Sequence, residues 1–549
     1  MSVNLKTRTI YITIALITIF QICLQPVLLD ESYYAFFASD VSFGYMDHPP
    51  MVAWIISVGN LLGGGVIGLR MFNLILLLGA VFFVDKLIDS KSVWKYGFIF
   101  AFPVLHVLHL SIPDSSLILG TAAFFYYLKR YLFQDSWSNA LFLSLSMMFM
   151  VYSKYHGILT LFFSILFVLE LFKRISFYYL IGVVILGMLP HLFWQIDYDY
   201  ISLQYHFKER RRNVFELHNV ADYLISSPLI LAGFMALIVP FKMAFDTAKG
   251  KFGWTKFEQV LLANIIGFLV FFLFQSSKGI VEVNWLFSAS IPVMILLGNR
   301  LNFDWKWNKI VIVTSLVVFI SIRLMLMLGL VPRVGYLFQY SGYKKWSTEI
   351  TEHANGLPVV FQDSYQLASM YGFQTSNVPF SFNTIESRIN QYSLSNADQT
   401  YNGKIVKVYQ PYSPFILSLK TTNTSKGALH YYIDSNFCVV NNLWISPSQI
   451  DIIESGDSLR FECSMQNRGG YDLEKLILQD RLKLVMSQRF SWDQRTLVDI
   501  YSDNFTINKN RLVFSVSYSQ DVTYEYKLGF AVDNKCASIN SSLLQLEEF

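Results

Sequence analysis

The chain has 549 residues, too many for one ordinary domain. Hydrophobic residues make up 53% and charged residues 15%, with a mean hydropathy of +0.40. That balance excludes a disordered chain or an ordinary soluble protein and indicates a polytopic membrane protein. The net charge of +4 is small, so its distribution matters more than its sum, and no nucleic-acid partner is expected. Cys23 lies in the first apolar run, and Cys438, Cys463 and Cys536 lie far downstream. No CxxC or Cys/His cluster occurs, which argues against a structural zinc site. One disulfide among the distal three would leave one thiol over.

The N-terminus, a short basic segment and then an apolar run, has the outline of a signal peptide. The run is too long and no small-residue cleavage site comes after it, so it reads as a retained first span. Apolar runs then recur with short polar breaks. They place spans near 10–29, 66–86, 95–111, 115–133, 138–153, 156–172, 177–194, 227–245, 258–275, 284–298 and 309–330. That makes about eleven, at roughly 20 apolar residues per crossing. Val52 to Leu62 is apolar but too short to span, and reads as an interfacial helix on the outer surface.

Lys and Arg in short loops set the orientation. With Lys6 and Arg8 inside, the inner loops hold Lys86, Lys91 and Lys95; Lys129 and Arg130; Lys173 and Arg174; Lys242, Lys249, Lys251 and Lys256; and Arg300, Lys306 and Lys309. This puts everything after Leu330 outside. A few basic residues run against the rule on the outer side: Lys154, Lys208, Arg210, Arg211, Arg212 and Lys278. Asp30, Glu31, Asp47, Asp114 and Glu282 lie on the same face. Ionisable groups at membrane depth are costly and mark pathways or sites, so this one-sided cluster is the main clue to function.

After about Tyr340 polar residues dominate. PVVFQ (Pro358–Gln362) and KIVKVY (Lys404–Tyr409) read as strands around a helix near Ser364 to Gly372, a small α/β unit. From about Lys426 the strands at Ile450–Ile453, Leu459–Cys463 and Arg511–Tyr518 are punctuated by Gly, Asn and Asp, which points to a β-sandwich-like tail. The fold class is therefore a mainly α polytopic membrane protein with a C-terminal extracytoplasmic α/β plus β-rich region. Its expected domains are 1–335, 340–425 and 426–549.

Each candidate site residue carries two readings. Asp30 and Glu31, at the mouth of the first span, are either a general base with its orienting partner or a solvated helix end. Asp47 and His48, before Pro49 and Pro50, are either ligands for a cation or sugar hydroxyl or a helix cap. Asp114 sits in a very short outer turn, where an acid also caps the next helix. Lys154 and Arg210–Arg212 are suited to a phosphate, Arg bidentately and Lys as a point charge; the Arg run would serve equally in a solvated loop. Glu282, Asn284 and Trp285 open an outer helix, as sugar-binding groups or as an interfacial anchor. His206 is a lone histidine and more often structural.

Taken in order, DESYYAFF, GYMDHPPMVAW, GLRMFN, IPDSSLIL, SKYHGILTL, the Arg-containing outer loop and VEVNW resemble the polyprenyl-phosphate-sugar-dependent GT-C glycosyltransferases. The nearest in pattern are the bacterial relatives of protein O-mannosyltransferases and the ArnT-type aminoarabinose transferases. The resemblance covers roughly residues 10–330, and FQDSYQLASMYGF is similar to the soluble segment after the spans in some bacterial members. It implies Asp30 as catalytic base, with Glu31 beside it, and Asp114 as a group that places the acceptor or a metal. It implies Lys154 and Arg210 to Arg212 as holders of the donor phosphate, with Lys278 as a further basic group. Asp47 and His206 fall where ArnT-type enzymes carry metal-associated residues, so a divalent cation joins the polyprenyl-phosphate sugar as an expected ligand. His48 stands where those enzymes have a Lys, a departure that counts against an aminoarabinose donor and a lipid A acceptor. The tail from 426 onward matches nothing in the family.

The expected activity is inverting transfer of a hexose or pentose from a polyprenyl-phosphate donor to an extracytoplasmic lipid, glycan or protein. The expected location is the bacterial inner membrane, with the N-terminus cytoplasmic. A lipid-linked sugar flippase or exporter is the alternative, but it needs functional charge through the bundle, and this cluster is one-sided. A membrane-anchored sensor would need neither Lys154 nor Asp114.

Overall fold

The computed structural model describes residues 2–206, 215–237, 253–330, 341–410, 419–452, 458–491, 494–500, 505–508, 510–517, 525–533, 535–541 and 544–545. The chain forms two compact units. One comprises Met1–Trp194 and Arg211–Ser341, and the other Gln195–Arg210 and Gly342–Phe549.

The first unit is helical. Its leading helices are α1 (Ser2–Leu24), α2 (Leu29–Phe37), α3 (Met51–Leu62), α4 (Gly65–Arg70), α5 (Asn73–Leu87), α6 (Trp94–Phe100), α7 (Pro113–Phe133), α8 (Trp137–Ser153), α9 (His156–Ile165) and α10 (Ile175–Asp197). Helices Leu217–Ala232, Lys256–Ser276, Phe287–Arg300 and Lys306–Met327 come after them. Among the described residues, five helices are long and apolar enough to cross a membrane: Gly65–Leu87, Ile175–Asp197, Leu217–Ala236, Lys256–Ser276 and Lys306–Met327. The chain is an integral membrane protein.

The remaining expected spans are met by shorter, broken or less apolar helices. Expected span 10–29 stops at Leu24, because Pro26 has no N–H to donate. The chain bends by 87° between the part from Arg8 to Leu24 and α2, and counting this bent pair as one crossing gives six. Expected span 95–111 is α6 and then a 3-10 turn at Pro103–His106. Expected span 227–245 runs past the described residues at 238. Val52–Leu62 is indeed a separate short helix, α3.

Helix Phe287–Arg300 is buried continuously from Phe287 to Gly298. A helix apolar all round belongs at the centre of a bundle, and its Ile291, Met294 and Ile295 join Leu77, Ala80, Val84, Phe98, Phe125 and Phe268 in one core. Pro113 starts α7, where its missing N–H costs nothing. Gly120 of α7 lets α8 approach closely: a Cβ there would lie 3.0 Å from the Met150 Cα.

In the second unit β1 (Val359–Gln362), β2 (Ser381–Phe382), β3 (Val406–Gln410), β4 (Lys420–Thr424) and β5 (Gly427–Asp434) form a sheet in the order β2-β1-β3-β5-β4. β1 pairs parallel with β2 and β3, and helix Tyr365–Thr375 makes the crossover from β1 to β2. The expected boundary at 425–426 falls in the turn of the β4–β5 hairpin, so one sheet continues across it. Beyond it, β6 (Leu443–Ile452), β7 (Ser458–Asn467), β8 (Leu482–Ser491), β9 (Gln494–Ile500), β10 (Phe505–Asn508), β11 (Arg511–Ser517), β12 (Glu525–Val532) and β13 (Leu544–Gln545) build two antiparallel sheets, β10-β11-β7-β6 and β13-β12-β8-β9. Alternate residues supply the shared core: Phe461, Cys463 and Met465 from β7, Leu482, Leu484 and Met486 from β8, Tyr526, Leu528 and Phe530 from β12. This period of two is what a half-buried strand requires. Cys438, Cys463 and Cys536 are free thiols, so no disulfide forms among them.

Candidate active site

Three of the expected residues meet in the membrane unit. Asp114 stands in the first turn of α7, and Lys154 ends α8 in an extended conformation. Lys154 Nζ donates to Asp114 Oδ1 at 2.7 Å, with both side chains buried. Asn284, from the 3-10 turn Val283–Leu286, donates to Asp114 Oδ2 at 3.0 Å. Asp114 is not a helix cap: Ile112 holds that position and no side chain caps the helix. A lysine ammonium has three N–H donors, and one of them goes to Asp114. Lys154 is thus buried and keeps N–H donors for a second anion.

His156, two residues after Lys154, and Trp285, next to Asn284, belong to one aromatic cluster. His156 lies 5.6 Å from Phe272 and 5.6 Å from Trp285, and Phe272 and Trp285 lie 5.5 Å apart. Glu282 is exposed. Lys278 lies 4.5 Å above the Phe274 ring, on the helix Lys256–Ser276 that it follows in sequence.

The acid pair on α2 divides in two. Asp30 is exposed in the first turn of α2, where the helix dipole favours negative charge. Glu31 is wholly buried. Its Oε1 accepts from Arg70 Nε at 2.7 Å and from the Ser111 N–H at 3.0 Å. Its Oε2 accepts from an Arg70 terminal nitrogen at 2.5 Å and from the Leu28 N–H at 3.0 Å. With both oxygens doubly engaged, Glu31 ties Arg70 to the backbone at the starts of α2 and α7. Arg70 also donates to the carbonyls of Ile22, in the last turn of α1, and of Gln25 and Pro26 just beyond it. Ser111 is three residues before Asp114, so this tie fixes the start of the Asp114 helix relative to α2.

Sequence reasoning missed Arg70, although GLRMFN was among the motifs. It also missed Asn73, which donates to the His109 carbonyl and to Ser111 Oγ at 3.0 Å each. A further polar chain joins His109 to Gln21 and Gln25, and Arg323 to Gln21. The available signal was the rule used for Lys154: a charge inside an apolar run needs a partner.

Asp47 is buried in the turn before α3, and His48 makes an edge contact with Tyr34 at 5.5 Å. Neither caps α3, whose N-cap is Pro50 with no side-chain hydrogen bond. The loop that carries them is seated on α10. His191 Nδ1 donates to the Phe43 carbonyl at 2.7 Å, so in the neutral ring Nε2 accepts from the Tyr155 hydroxyl at 3.2 Å. Trp54 donates to the Ser42 carbonyl at 2.8 Å. Gly44 lies so close to Trp194 that a Cβ would come within 2.2 Å of the indole.

His206 belongs to the other unit. Among the described residues no group of three or more His, Cys, Asp or Glu side chains could hold a metal ion. The expected cation ligands Asp47 and His206 lie in different units, and no step is assigned to a metal. Arg210, Arg211 and Arg212 lie outside the described residues.

No family model matches the chain, and no curated protein matches it. Solved structures do. ArnT from Cupriavidus metallidurans in the apo state is 14% identical, with 77% of this chain and 97% of that chain covered and a TM-score of 0.56. ArnT from Cupriavidus metallidurans bound to undecaprenyl phosphate is 14% identical, with the same coverage and a TM-score of 0.55. This likeness shows the fold: the chain has the GT-C fold.

Proposed function

We propose that the chain is a membrane glycosyltransferase. It moves a sugar from a polyprenyl-phosphate donor to an extracytoplasmic acceptor, a lipid, a glycan or a protein, with inversion at the anomeric carbon. The observation that carries the reading is the buried Lys154, held by Asp114 and still able to donate to a second anion, in a fold shared with a protein solved with undecaprenyl phosphate bound.

Donor phosphate binds at Lys154, with Arg210 to Arg212 and Lys278 as further basic groups. Asp114 and Asn284 hold Lys154 in place, and Glu31 holds the α2 end in place through Arg70. The acceptor hydroxyl attacks the anomeric carbon, and Asp30 takes its proton. The bond from that carbon to the phosphate oxygen breaks, and the departing phosphate keeps the electron pair. Its added charge is stabilised by the buried Lys154. Holding donor and acceptor in line supplies part of the rate. Asp47, His48, Glu282 and Trp285 line the acceptor or sugar side. The enzyme works in the bacterial inner membrane with its C-terminal region outside.

The test is transfer of labelled sugar from a panel of polyprenyl-phosphate donors in membranes, wild type against Asp30→Asn. Transfer by wild type and a loss of about 100-fold or more in Asp30→Asn is expected, the range of a removed general base. Full transfer by folded Asp30→Asn would remove the base assignment. No transfer from any donor by folded wild type would remove the reading.

A further inference from the structure

Among the described residues of the membrane unit, four cations are buried: Arg70, Lys95, Lys154 and Arg323. Three of them have a carboxylate: Glu31 for Arg70, Asp85 for Lys95 and Asp114 for Lys154. Arg323, on the helix Lys306–Met327, has none among the described residues. Its Nε donates to Gln21 Oε1 of α1. Gln21 is bonded in turn to Gln25 and His109. Amides are neutral and a histidine is neutral or cationic, so this polar chain supplies no negative charge. A buried charge without a counter-ion is costly, and an ionisable residue inside a membrane helix marks a site.

The position of Arg323 decides which anion reaches it. Arg323 is four residues from Met327, the end of its helix, and Gln21 is three from Leu24, the end of α1. The contact between them means that the two helices end on the same side. The helix Lys306–Met327 has 22 residues and is about 33 Å long, close to the roughly 30 Å of a hydrocarbon layer. Its last turn therefore meets the headgroups, and Arg323, about 6 Å inside, is within a side chain's length of them. The seam around the contact is apolar and open. Ile17 and Leu24, one turn to either side of Gln21, and Ile320, one turn before Arg323, are exposed. A guanidinium has five N–H donors. Gln21 takes the one on Nε, and the terminal nitrogens keep four, the fork that grips a phosphate bidentately.

From the buried Arg323 without a carboxylate, its terminal nitrogens and the apolar seam around it, we propose that α1 and the helix Lys306–Met327 bind one membrane phospholipid. Its phosphate sits on Arg323, and its acyl chains lie along Ile17, Leu24 and Ile320. The lipid supplies the negative charge that the chain does not, and it joins two helices whose contact residues are 302 positions apart. Gln21 is a positioning residue that aims the guanidinium. The site does not depend on the transferase reading.

The test titrates the delipidated full-length protein in detergent with dioleoylphosphatidylglycerol, with dioleoylglycerol, which lacks the phosphate, and with inorganic phosphate, which lacks the chains. Wild type is expected to bind the phospholipid at least tenfold more tightly than dioleoylglycerol, and inorganic phosphate should not displace it. Arg323→Met, which removes the buried charge at similar side-chain length and should therefore fold, is expected to bind the phospholipid at least tenfold more weakly and dioleoylglycerol as wild type does. Arg323→Lys, which keeps the charge without the fork, should fall between, and it decides the matter if Arg323→Met does not fold. The phospholipid should raise the melting temperature of wild type and not that of Arg323→Met. Equal phospholipid affinity in wild type and the Arg323 variants would overturn the proposal, as would equal affinity of wild type for the two lipids. Displacement by inorganic phosphate would make this a site for a soluble anion and overturn the lipid. Weakening by Lys154→Ala and not by Arg323→Met would put the phosphate at Lys154 and overturn it as well.

Discussion

Glu31 and Lys154 are both charges buried inside a membrane unit, and each is held by one partner of opposite sign. A buried pair is costly to break, because the survivor is left charged with no counter-ion. Glu31→Ala is therefore expected to destabilise the protein by about 3–5 kcal/mol. The double variant Glu31→Leu with Arg70→Met should recover much of that, because it removes the orphaned charge as well. Thermal melts in detergent read both. If Glu31→Ala melted like wild type and only transfer were lost, the acid would belong to the chemistry after all. Both charges could be picked out of the sequence by their cost in an apolar run. Which partner each one takes could not, because Arg70 is 39 residues from Glu31 and Lys154 is 40 from Asp114. Helical and strand periodicities carry no information over such separations.

The loop between α2 and α3 shows how elements fix each other. It touches α10 through Gly44 beneath Trp194, through Phe43 against His191, and α3 through Ser42 against Trp54. Gly44→Ala puts a methyl into the indole, and overpacking of this kind costs about 1–3 kcal/mol. The variant should melt earlier and transfer less, and Trp194→Leu in the same chain should recover part of both. A neutral Gly44→Ala would mean that the loop is not seated there. The element types were largely legible: apolar runs became helices, and alternation marked the strands of the sandwich. Their breaks were harder to see. Pro26 was visible, but the apolar residues on both sides of it continued the hydropathy signal, so a bent pair read as one span. The boundary placed at 425–426 tracked a change in composition, and a hairpin turn supplies the same polar residues as a linker.

For the molecule as a whole, pH acts through the second unit. Asp398 is fully buried, and burial pushes its carboxyl up from 3.8 to about 6, against the lowering effect of the Tyr471 hydroxyl at 2.6 Å and of Asn402. The folded unit thus keeps this proton up to about pH 6, whereas the unfolded chain releases it near 4. The stabilisation is complete below pH 4 and is lost as pH rises through 6, a change of about 3 kcal/mol by pH 7. Melting tracked from pH 4 to 7 should fall more steeply in wild type than in Asp398→Asn. Equal slopes would show that the acid does not titrate in this window.

The division of the second unit also has a consequence in time. Arg468 donates to the Asp197 carbonyl, where α10 runs into the next loop, and the two are 271 residues apart. At about 5–20 residues per second that loop waits roughly 15–55 s on the ribosome before its partner strand is made. Loop closure over such a distance is entropically expensive, so the turn at Asp199 and Tyr200 is a late event in folding, after the flanking helices have entered the bilayer. A chain that stops after the last membrane helix would insert with every span in place and its outer loop still unformed. Cutting this protein at its apparent domain border would therefore yield two incomplete halves.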